Sequence, residues 1–307
     1  MQKLSYYLRY PNVAASRLLV RYGTWLPDKL FLKIKFHLAM GYKLDLKNPK
    51  TFSEKLQWLK LYDHKPEYTI MVDKVKVKEY VASILGEEYI IPTLGVWDDP
   101  DKIDFNALPD RFVLKCNHNS GLGMYICKDK KKMNIEKVKE ELRKGLKQNY
   151  FKGNREWPYK DVPRRIIAEQ YIDPAPNVQD LPDYKWFCFN GQPKYCQVIQ
   201  NRNTKETIDF FDVDWNHQDF IGFAKEAVNA DATPARPFNL DTHLRIACEL
   251  SKGIPFSRID LYETGQHTYF GEITLYPASG MGELRPNQYN EVLGKMLVLP
   301  GENGGGG

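Results

Sequence analysis

The chain has 307 residues, of which 42% are hydrophobic and 27% are charged, and these proportions exclude a wholly disordered protein. Its formal net charge of +5 neither requires nucleic acid nor excludes a small anionic partner. No stretch approaches the roughly 18 uninterrupted apolar residues of a membrane span, and residues 1–7 lack the apolar core of a signal peptide, so we expect a cytoplasmic protein.

Length and cysteine content limit the architecture further. At about 150 residues per domain, the chain is expected to form two domains or two lobes. Cysteines occur in an odd number and form no C-x-x-C pair, which favours reduced structural thiols over a zinc site or a disulfide framework. They are Cys116, Cys127, Cys188, Cys196 and Cys248.

The first 65 residues are predicted to be helical and basic. Apolar and cationic residues lie close together over 17–21 and 30–36, as in an amphipathic helix. Such a segment either lies on an anionic membrane surface or docks on the rest of the protein. Breaks at Gly23, Pro27 and Gly41 favour docking.

Two helices are predicted next. Thr51 and Glu54 have the spacing of a capping box, which predicts a helix through Leu59. A second helix is predicted from Tyr68 to Leu85, where apolar residues recur along one side before a glycine.

From residue 89 onward, short β-like runs alternate with turn residues and with helical segments over 133–149 and 241–252. Hairpins are predicted at 190–192 and 263–267. This layout predicts an α+β fold with mostly antiparallel sheets rather than a regular βαβ array. The predicted strands are 89–92, 112–115, 124–127, 165–169, 184–189, 194–199, 258–262 and 268–275.

One predicted strand carries a lysine and leads into a polar loop with glycines. Lys115 ends the apolar run 112–115, and the loop 117–123 precedes the strand 124–127. Glycines let backbone N–H groups point at an anion, and a lysine adds positive charge, so the segment is typical of a phosphate-binding turn. An ordinary hairpin is the alternative, because the loop is not the G-x-x-x-x-G-K-[ST] motif and no helix follows it.

Two acids lie on the strands of the second predicted hairpin. Side chains alternate along a strand, so Arg258 shares a face with Asp260, and Glu272 with Thr274. A turn centred near Gln266 pairs Asp260 with Glu272, at a Cβ separation of about 5 Å. Carboxylates this close repel unless a cation lies between them, and Mg²⁺ bridging to phosphates suits such ligands. The alternative is a solvated strand face on which Arg258 neutralises one acid.

A third segment is typical of a hinge between lobes. The apolar strand that ends near residue 172 is followed by Pro174 and Pro176. On the next strand Asp183 and Lys185 share a face, a pattern that a surface ion pair also produces.

Taken together, the lysine strand, the hinge and the acid pair resemble the ATP-grasp superfamily. Residues from about 50 to 290 resemble its TupA-like branch, associated with bacterial surface-polysaccharide and teichuronopeptide biosynthesis, most clearly over 51–60, 112–121 and 269–277. The resemblance implies the ATP-grasp fold, in which two lobes with mostly antiparallel sheets hold ATP. It divides the chain into a helical N-terminal segment (1–65), a first lobe (66–169), a second lobe (170–300) and a disordered tail (301–307).

The resemblance also implies roles for individual residues. ATP is expected to contact the phosphate lysines, the lid, the hinge and an acid near the ribose: Lys78, Lys115, Asn117, Ser120, Gly121, Gly123, Glu169, Gln170, Ile172 and Asp183. Catalytic roles are implied for Lys185 on the transferred phosphate and for Arg258 on the acyl-phosphate and tetrahedral states. Mg²⁺ is implied to bind Asp260, Glu272 and Thr274; the last replaces an Asn common in the superfamily, which weakens the case for a second Mg²⁺.

These expectations favour an ATP- and Mg²⁺-dependent ligase that joins a carboxylate to an amine through an acyl phosphate. The resemblance implies attachment of an amino acid or peptide during synthesis of a capsule or cell-wall polysaccharide. Two alternatives stay open: a kinase acting on a sugar hydroxyl, and a glycosyltransferase using the D-x-D pair Asp212 and Asp214, which also fits a turn. The basic run 128–132 is typical of a solvated face rather than of nucleic-acid binding.

Residues that contact the acceptor are the least constrained part of the prediction. The sequence does not rank the candidates, and one arginine among them is a candidate anion anchor, Arg202. The full set is Trp186, Arg202, Asn203, His217 and Arg285.

Overall fold

A computed structural model describes residues 10–174, 181–200, 206–223, 228–265 and 267–301. Runs of helices and runs of strands follow one another along these ranges, in agreement with the α+β prediction. The helices are α1 (Pro11–Tyr22), α2 (Asp28–Met40), α3 (Phe52–Tyr62), α4 (Glu67–Val72), α5 (Lys76–Leu85), α6 (Ile135–Lys147), α7 (Tyr150–Asn154), α8 (Leu240–Ser251) and α9 (Tyr289–Met296).

Antiparallel pairing organises the strands into two main sheets. The small sheet has the order β1-β4-β2-β3, the large sheet has the order β10-β9-β5-β6-β7, and β8 pairs with β11 beside them. The strands are β1 (Thr93–Trp97), β2 (Phe112–Cys116), β3 (Met124–Cys127), β4 (Ile166–Gln170), β5 (Asp183–Phe189), β6 (Gln192–Gln200), β7 (Thr207–Asp212), β8 (Ile221–Gly222), β9 (Phe256–Thr264), β10 (His267–Thr274) and β11 (Leu284–Arg285).

Each main sheet has its own hydrophobic core. Alternating burial along β2 places Phe112 and Leu114 against α6 and the β4 residue Ile166. The core of the large sheet is bigger and includes side chains from α3, α4 and α5, among them Leu56 and Val81. The five cysteines are free thiols, and all except Cys248 are fully buried.

The N-terminal helices differ in how they meet the rest of the chain. Phe31, Leu32 and Phe36 of α2 are buried, and at about 2 kcal/mol for each buried side chain this holds the helix in place. Arg155, which is 2% exposed, bonds to Asp28 at 2.8 Å and donates to the Thr24 carbonyl at 3.0 Å. The predicted docking is confirmed for α2, whereas α1 has no buried residue.

The single helix predicted from residue 68 to 85 is wrong, because the chain breaks at Asp73. This carboxylate accepts the backbone N–H of Val75 at 2.9 Å and the Asn117 side-chain amide at 2.8 Å. An acceptor that satisfies a backbone N–H locally competes with helix continuation. The result is two helices, α4 and α5, with Lys74 in the gap between them.

Of the other sequence predictions, some are confirmed and one is wrong. The capping box of Thr51 and Glu54 is present, and both hairpins form. The strand predicted at 89–92 is wrong: Ile90 makes only an isolated bridge to Phe270, and strand β1 begins after Pro92, which has no N–H to donate to a ladder. Residues 302–307 lie outside the described ranges, and the division into lobes stays a proposal. No helix within the described ranges has the length and apolar character needed to span a membrane.

Candidate functional site

Strands β9 and β10 place the two predicted metal acids opposite each other. The tip pairs Thr264 with His267, and the register then shifts at Gly271, after which Glu272 pairs with Asp260. The predicted pairings of residue 260 with 272 and of 258 with 274 are confirmed. At the tip of the hairpin the pairing differs from the predicted register. Gln266, the predicted centre of the turn, lies outside the described residues.

Arg258 lies between these acids. It donates from Nε to Asp260 Oδ1 at 2.6 Å, and from Nη2 to Glu272 Oε1 and Thr274 Oγ1, each at 3.0 Å. Asp260 is 1% exposed, whereas the Glu272 side chain is 40% exposed. The alternative of a solvated face is therefore wrong for Asp260 but holds in part for Glu272, and the pairing of Arg258 with an acid that it predicted is present.

A lysine from the neighbouring strand β5 completes this group. Lys185 pairs with Asp260 and, at 2.9 Å, with Asp183. Burial raises the pKa of Asp260 to about 6, against the opposing effect of Arg258 and Lys185. For Glu272, the nearby cations Lys74, Arg258 and Lys185 outweigh burial and lower the pKa. Asp260 is therefore protonated more readily than Glu272 is.

The small sheet contributes a second charged group. Glu169, buried on β4, pairs with Lys78 at 2.8 Å and with Lys115 at 2.5 Å. Burial alone raises the pKa of Glu169, but the two lysines hold it at about 2. Burial on its own lowers the pKa of Lys115, but the Glu169 carboxylate outweighs burial and raises that pKa. For Lys78 burial is the stronger effect, so its pKa is lowered despite the same carboxylate. The predicted phosphate lysines thus meet at a predicted hinge acid.

Lys74 is a site residue that the sequence prediction left out. The break between α4 and α5 exposes it to the cleft, where it donates to the Asn119 carbonyl at 2.7 Å. Burial lowers its pKa despite the opposing charge of Glu272. The Asp73-Lys74 dipeptide, followed by Lys78, resembles the D-K…K segment of the superfamily, and the prediction assigned the phosphate contact to its last lysine alone.

The glycine-containing loop separates into a buried anchor and an open tip. Asn117 is fully buried, accepts the Arg165 N–H at 2.7 Å and donates to the Pro163 carbonyl at 2.8 Å, so it lies beneath the lid rather than at its surface. Gly121 has a φ of +84°, and a Cβ at this position would have no neighbouring atom within 4 Å. Ser120 and Gly121 line the cleft.

Three neighbouring cavities run along the boundary of the two sheets. The hinge cavity, about 240 Å³, is lined by apolar residues such as Met124 and by Gln170 and Ile172. The middle cavity, about 250 Å³, shares Lys115 and Asp183 with the hinge cavity and is lined by both sheets. The outer cavity, about 380 Å³, shares Lys74, Ser120 and Glu272 with the middle one. Its remaining walls include Lys35, Tyr150, Glu156, Tyr159 and Ser279.

The donor set on β9 and β10 fits Mg²⁺. Asp260 and Glu272 bond to one cationic side chain from the same face, so their oxygens already converge on positive charge. Among the described residues no group of three or more His, Cys, Asp or Glu side chains is arranged to hold a metal ion. Mg²⁺ commonly binds through one or two carboxylates plus phosphate oxygens and water, which matches a two-acid site.

Three of the five acceptor candidates lie within the described residues, and none of these three lines the outer cavity. Trp186 is fully buried and donates to His243, and His217 bonds to Asp209 at 2.9 Å, so neither contacts a ligand there. Arg285 lies on β11, also away from the lining, and Arg202 and Asn203 lie outside the described residues.

The D-x-D pair closes a turn. Asp212 Oδ1 accepts the backbone N–H groups of Asp214 at 3.0 Å and Asn216 at 2.8 Å. A carboxylate committed to its own turn is not positioned to hold a nucleotide-sugar metal, which removes the main support for a glycosyltransferase.

Comparison with known proteins gives a family match. Residues 54–298 match the model of the family described as TupA-like ATPgrasp. No curated protein matches the chain.

Solved structures of several ligases resemble the chain weakly. D-Alanine–D-alanine ligase from Bacillus anthracis, complexed with ATP, is 15% identical over 68% of this chain and 56% of its own, with a TM-score of 0.42. The Helicobacter pylori enzyme is 12% identical over 81% and 69%, also at 0.42. A RimK domain protein ATP-grasp from Sphaerobacter thermophilus is 13% identical over 75% and 67%, at 0.41. The chain thus spans little more than half of the first of these proteins.

Proposed function

The chain belongs to the TupA-like ATP-grasp family and has the ATP-grasp fold, and on that premise we propose that it is an ATP- and Mg²⁺-dependent ligase joining a carboxylate to an amine. The reaction proceeds through an acyl phosphate. ATP occupies the hinge and middle cavities, with its adenine beside Gln170 and Ile172.

The observation that carries the proposal is the convergence of charge on the middle cavity. Lys74, Lys115 and Lys185 line it together with Asp260 and Glu272, although they come from separate parts of the sequence. Cations and paired acids around one polar cleft are what a triphosphate with its metal requires. The cleft connects on one side to an apolar cavity with the size of a base and on the other to a polar cavity.

The same arrangement explains how a carboxylate is activated. A carboxylate is a poor electrophile, and transfer of the terminal phosphate to it creates a good leaving group. In phosphoryl transfer the protein mainly positions the reactants and neutralises charge. In this proposal Arg258, which lines the outer cavity beside Glu272, neutralises the acyl phosphate, and Lys185 and Lys74, which line the middle cavity, hold the phosphate oxygens. Mg²⁺, when bound at Asp260 and Glu272, supplies further neutralisation of the phosphates.

The proposed biological setting rests on the resemblance of the sequence to a surface-polysaccharide branch. We propose that the product carries an amino acid or peptide on a capsule or cell-wall polysaccharide, and that the step takes place in the cytoplasm, where ATP is available.

An assay of ADP release with panels of carboxylates and amines tests the ligase activity. We expect release that depends on both substrates, and hydroxamate when hydroxylamine replaces the amine, because hydroxylamine traps an acyl phosphate. A phosphate ester formed without any amine would instead identify a kinase.

Variants make the assay specific to the site. Glu272→Ala and Lys115→Ala should lose at least about hundredfold in turnover, in line with the removal of groups that stabilise transition-state charge. The exposed Lys132→Ala is the matched control, since that side chain is 85% exposed. Wild-type turnover in Glu272→Ala would defeat the proposal.

A further inference from the structure

The outer cavity has a lining that the proposed ATP site does not use. Arg258, Glu272 and Thr274 form its inner wall, so a molecule bound there lies next to the phosphate-transfer groups. Its outer wall comes from α2 and from the segment around α7, which is far from the nucleotide hinge. The cavity is therefore placed to hold a second reactant rather than ATP.

Glu156 is a buried acid in this lining, and one of its carboxylate oxygens has no hydrogen-bond partner among the described residues. The residue is 3% exposed, and among the described residues its Oε1 atom has no hydrogen-bond donor. Buried carboxylate oxygens are normally satisfied, so an unsatisfied one calls for an explanation. Burial raises the pKa of Glu156, with Lys60 and Lys35 opposing. A ligand that brings an N–H donor would satisfy the oxygen.

Lys35 places a cation in the same cavity. The α2 helix directs its ammonium group to the Gly153 carbonyl and the Asn154 side-chain oxygen, both of which are neutral acceptors. Two acceptors use two of the three N–H donors of a lysine. Burial lowers the pKa of Lys35 to about 8, so it is still mostly charged at neutral pH. Glu156 is the acid whose charge opposes this shift, but among the described residues no carboxylate forms a direct ion pair with Lys35, so a ligand carboxylate would be its direct anionic partner.

Tyrosines complete the lining without adding charge. Burial raises the pKa of Tyr150 and Tyr159, so both hydroxyl groups stay neutral donors. Apart from Lys74 and the inner wall of Arg258, Glu272 and Thr274, the cavity of about 380 Å³ thus presents one acid, one amine and neutral hydroxyls.

We infer that the outer cavity binds the amine substrate as an amino acid, with Glu156 accepting hydrogen bonds from its ammonium group and Lys35 facing its carboxylate. The inference deepens the proposed ligase function and rests on it. Because Glu156 and Lys35 present opposite charges within one cavity, the site favours a ligand that carries both groups over a simple amine or a simple acid.

The position of Glu156 gives the ligation step a proton acceptor. The ammonium group passes a proton to the Glu156 carboxylate, and the freed nitrogen lone pair forms a bond to the acyl carbon. The bond between that carbon and the phosphate oxygen breaks, and inorganic phosphate leaves with the electron pair and takes up the second proton that the nitrogen loses on becoming an amide.

Calorimetric titration tests binding directly. The protein, saturated with Mg²⁺ and a non-hydrolysable ATP analogue, is titrated with each common L- and D-amino acid. We expect at least one to bind, its N-acetyl derivative to lose binding because the ammonium group is gone, and its amide to bind more weakly. If no amino acid binds, or if the N-acetyl derivative binds as well as its parent, the inference is wrong.

Paired variants assign the binding to named residues. Glu156→Gln keeps the size of the side chain and should weaken amino-acid binding about tenfold or more, as expected for loss of a charged hydrogen bond. Lys35→Met should weaken it similarly, whereas the exposed controls Asp161→Asn and Lys33→Met should bind as wild type does. Unchanged binding in Glu156→Gln would overturn the assignment.

The hydroxylamine assay separates this inference from the proposed function. In Glu156→Gln we expect ligation of the amino acid to fall by a larger factor than hydroxamate formation, because hydroxylamine is largely neutral near pH 7 and needs no proton acceptor before it attacks. Hydroxamate in the wild type together with unimpaired ligation in Glu156→Gln rejects only the inference. Amino-acid binding that depends on Glu156, without hydroxamate from any carboxylate, rejects only the ligase.

Discussion

Asp260 and Glu272 are direct partners across strands β9 and β10, and both bond to the guanidinium group of Arg258. The guanidinium group thus occupies the position between the two carboxylates, where a cation is favoured. Metal binding at these acids must compete with the guanidinium group, and this competition leads to the first prediction.

We expect Arg258→Met to be stabilised by Mg²⁺ more strongly than the wild type is. Without Mg²⁺ the variant should lose roughly 3 kcal/mol of stability, because the buried Asp260 keeps Lys185 but loses its other cationic partner. Mg²⁺ no longer competes with the guanidinium group for the two acids, so the Mg²⁺-induced rise in Tm should exceed that of the wild type while ligase turnover falls. Tm measured against Mg²⁺ concentration checks this, with Glu272→Gln as the variant that should lose the response. Equal Mg²⁺ responses in Arg258→Met and the wild type would contradict the prediction.

The Glu169 group predicts a specific acid sensitivity. Its folded pKa of about 2 lies below the ordinary 4.5, so the ionised form stabilises the fold by on the order of 3 kcal/mol, fully above pH 4.5 and progressively less as pH falls toward 2. Lys115→Met removes one of the two cations that lower this pKa. The fall in Tm between pH 4.5 and pH 2 should therefore be smaller in Lys115→Met than in the wild type or in Lys132→Met, because part of the stabilisation by Glu169 is already missing at neutral pH. Superimposable Tm profiles would show that Lys115 does not set this pKa.

Two lid glycines should respond differently to the same substitution. A Cβ at Gly121 meets open space, so Gly121→Ala should lose only about 1 kcal/mol from its positive φ. A Cβ at Gly123 would lie 2.6 Å from the Cys116 sulfur and 3.0 Å from the Gly145 Cα, so Gly123→Ala should lose clearly more. Chemical denaturation of the two variants checks the order, and the reverse order would be inconsistent with the packing of this loop.

The docking of α2 should depend on Arg155. Its guanidinium group contacts Asp28, backbone carbonyls of the preceding turn and, at 3.9 Å, the Phe31 ring. Arg155→Ala should destabilise the protein by roughly 3 kcal/mol, because these contacts are buried. Arg21→Ala, on the exposed face of α1, is the control and should change stability by less than about 0.5 kcal/mol. A small effect of Arg155→Ala would mean that apolar packing alone holds α2.

The sequence predicted the charged pairs of this site well where strand alternation decided them. Asp260, Glu272 and Arg258 share a face because side chains alternate along a hairpin, and that rule needs only local sequence. Most strands and the α+β class followed from the same short-range patterns.

Long-range contacts decided the features that the sequence did not predict. Asp73 ends a helix because its carboxylate meets Asn117, a residue 44 positions away. Glu156 and Lys35 meet only because α2 docks beside α7, and neither occurs in a motif that signals a ligand site. The sequence alone also gave no indication that Trp186 would be buried against His243 rather than facing the cleft.

The register shift at Gly271 separates the tip of the β9–β10 hairpin from the paired acids Asp260 and Glu272. Because this residue absorbs the mismatch, the tip can change in length or sequence across related proteins without rotating the acids away from each other. Deleting residue 271 would have the opposite effect, turning the carboxylate that follows into the hydrophobic interior. The tip of the hairpin should therefore tolerate inserted residues, whereas deletion of residue 271 should not be tolerated.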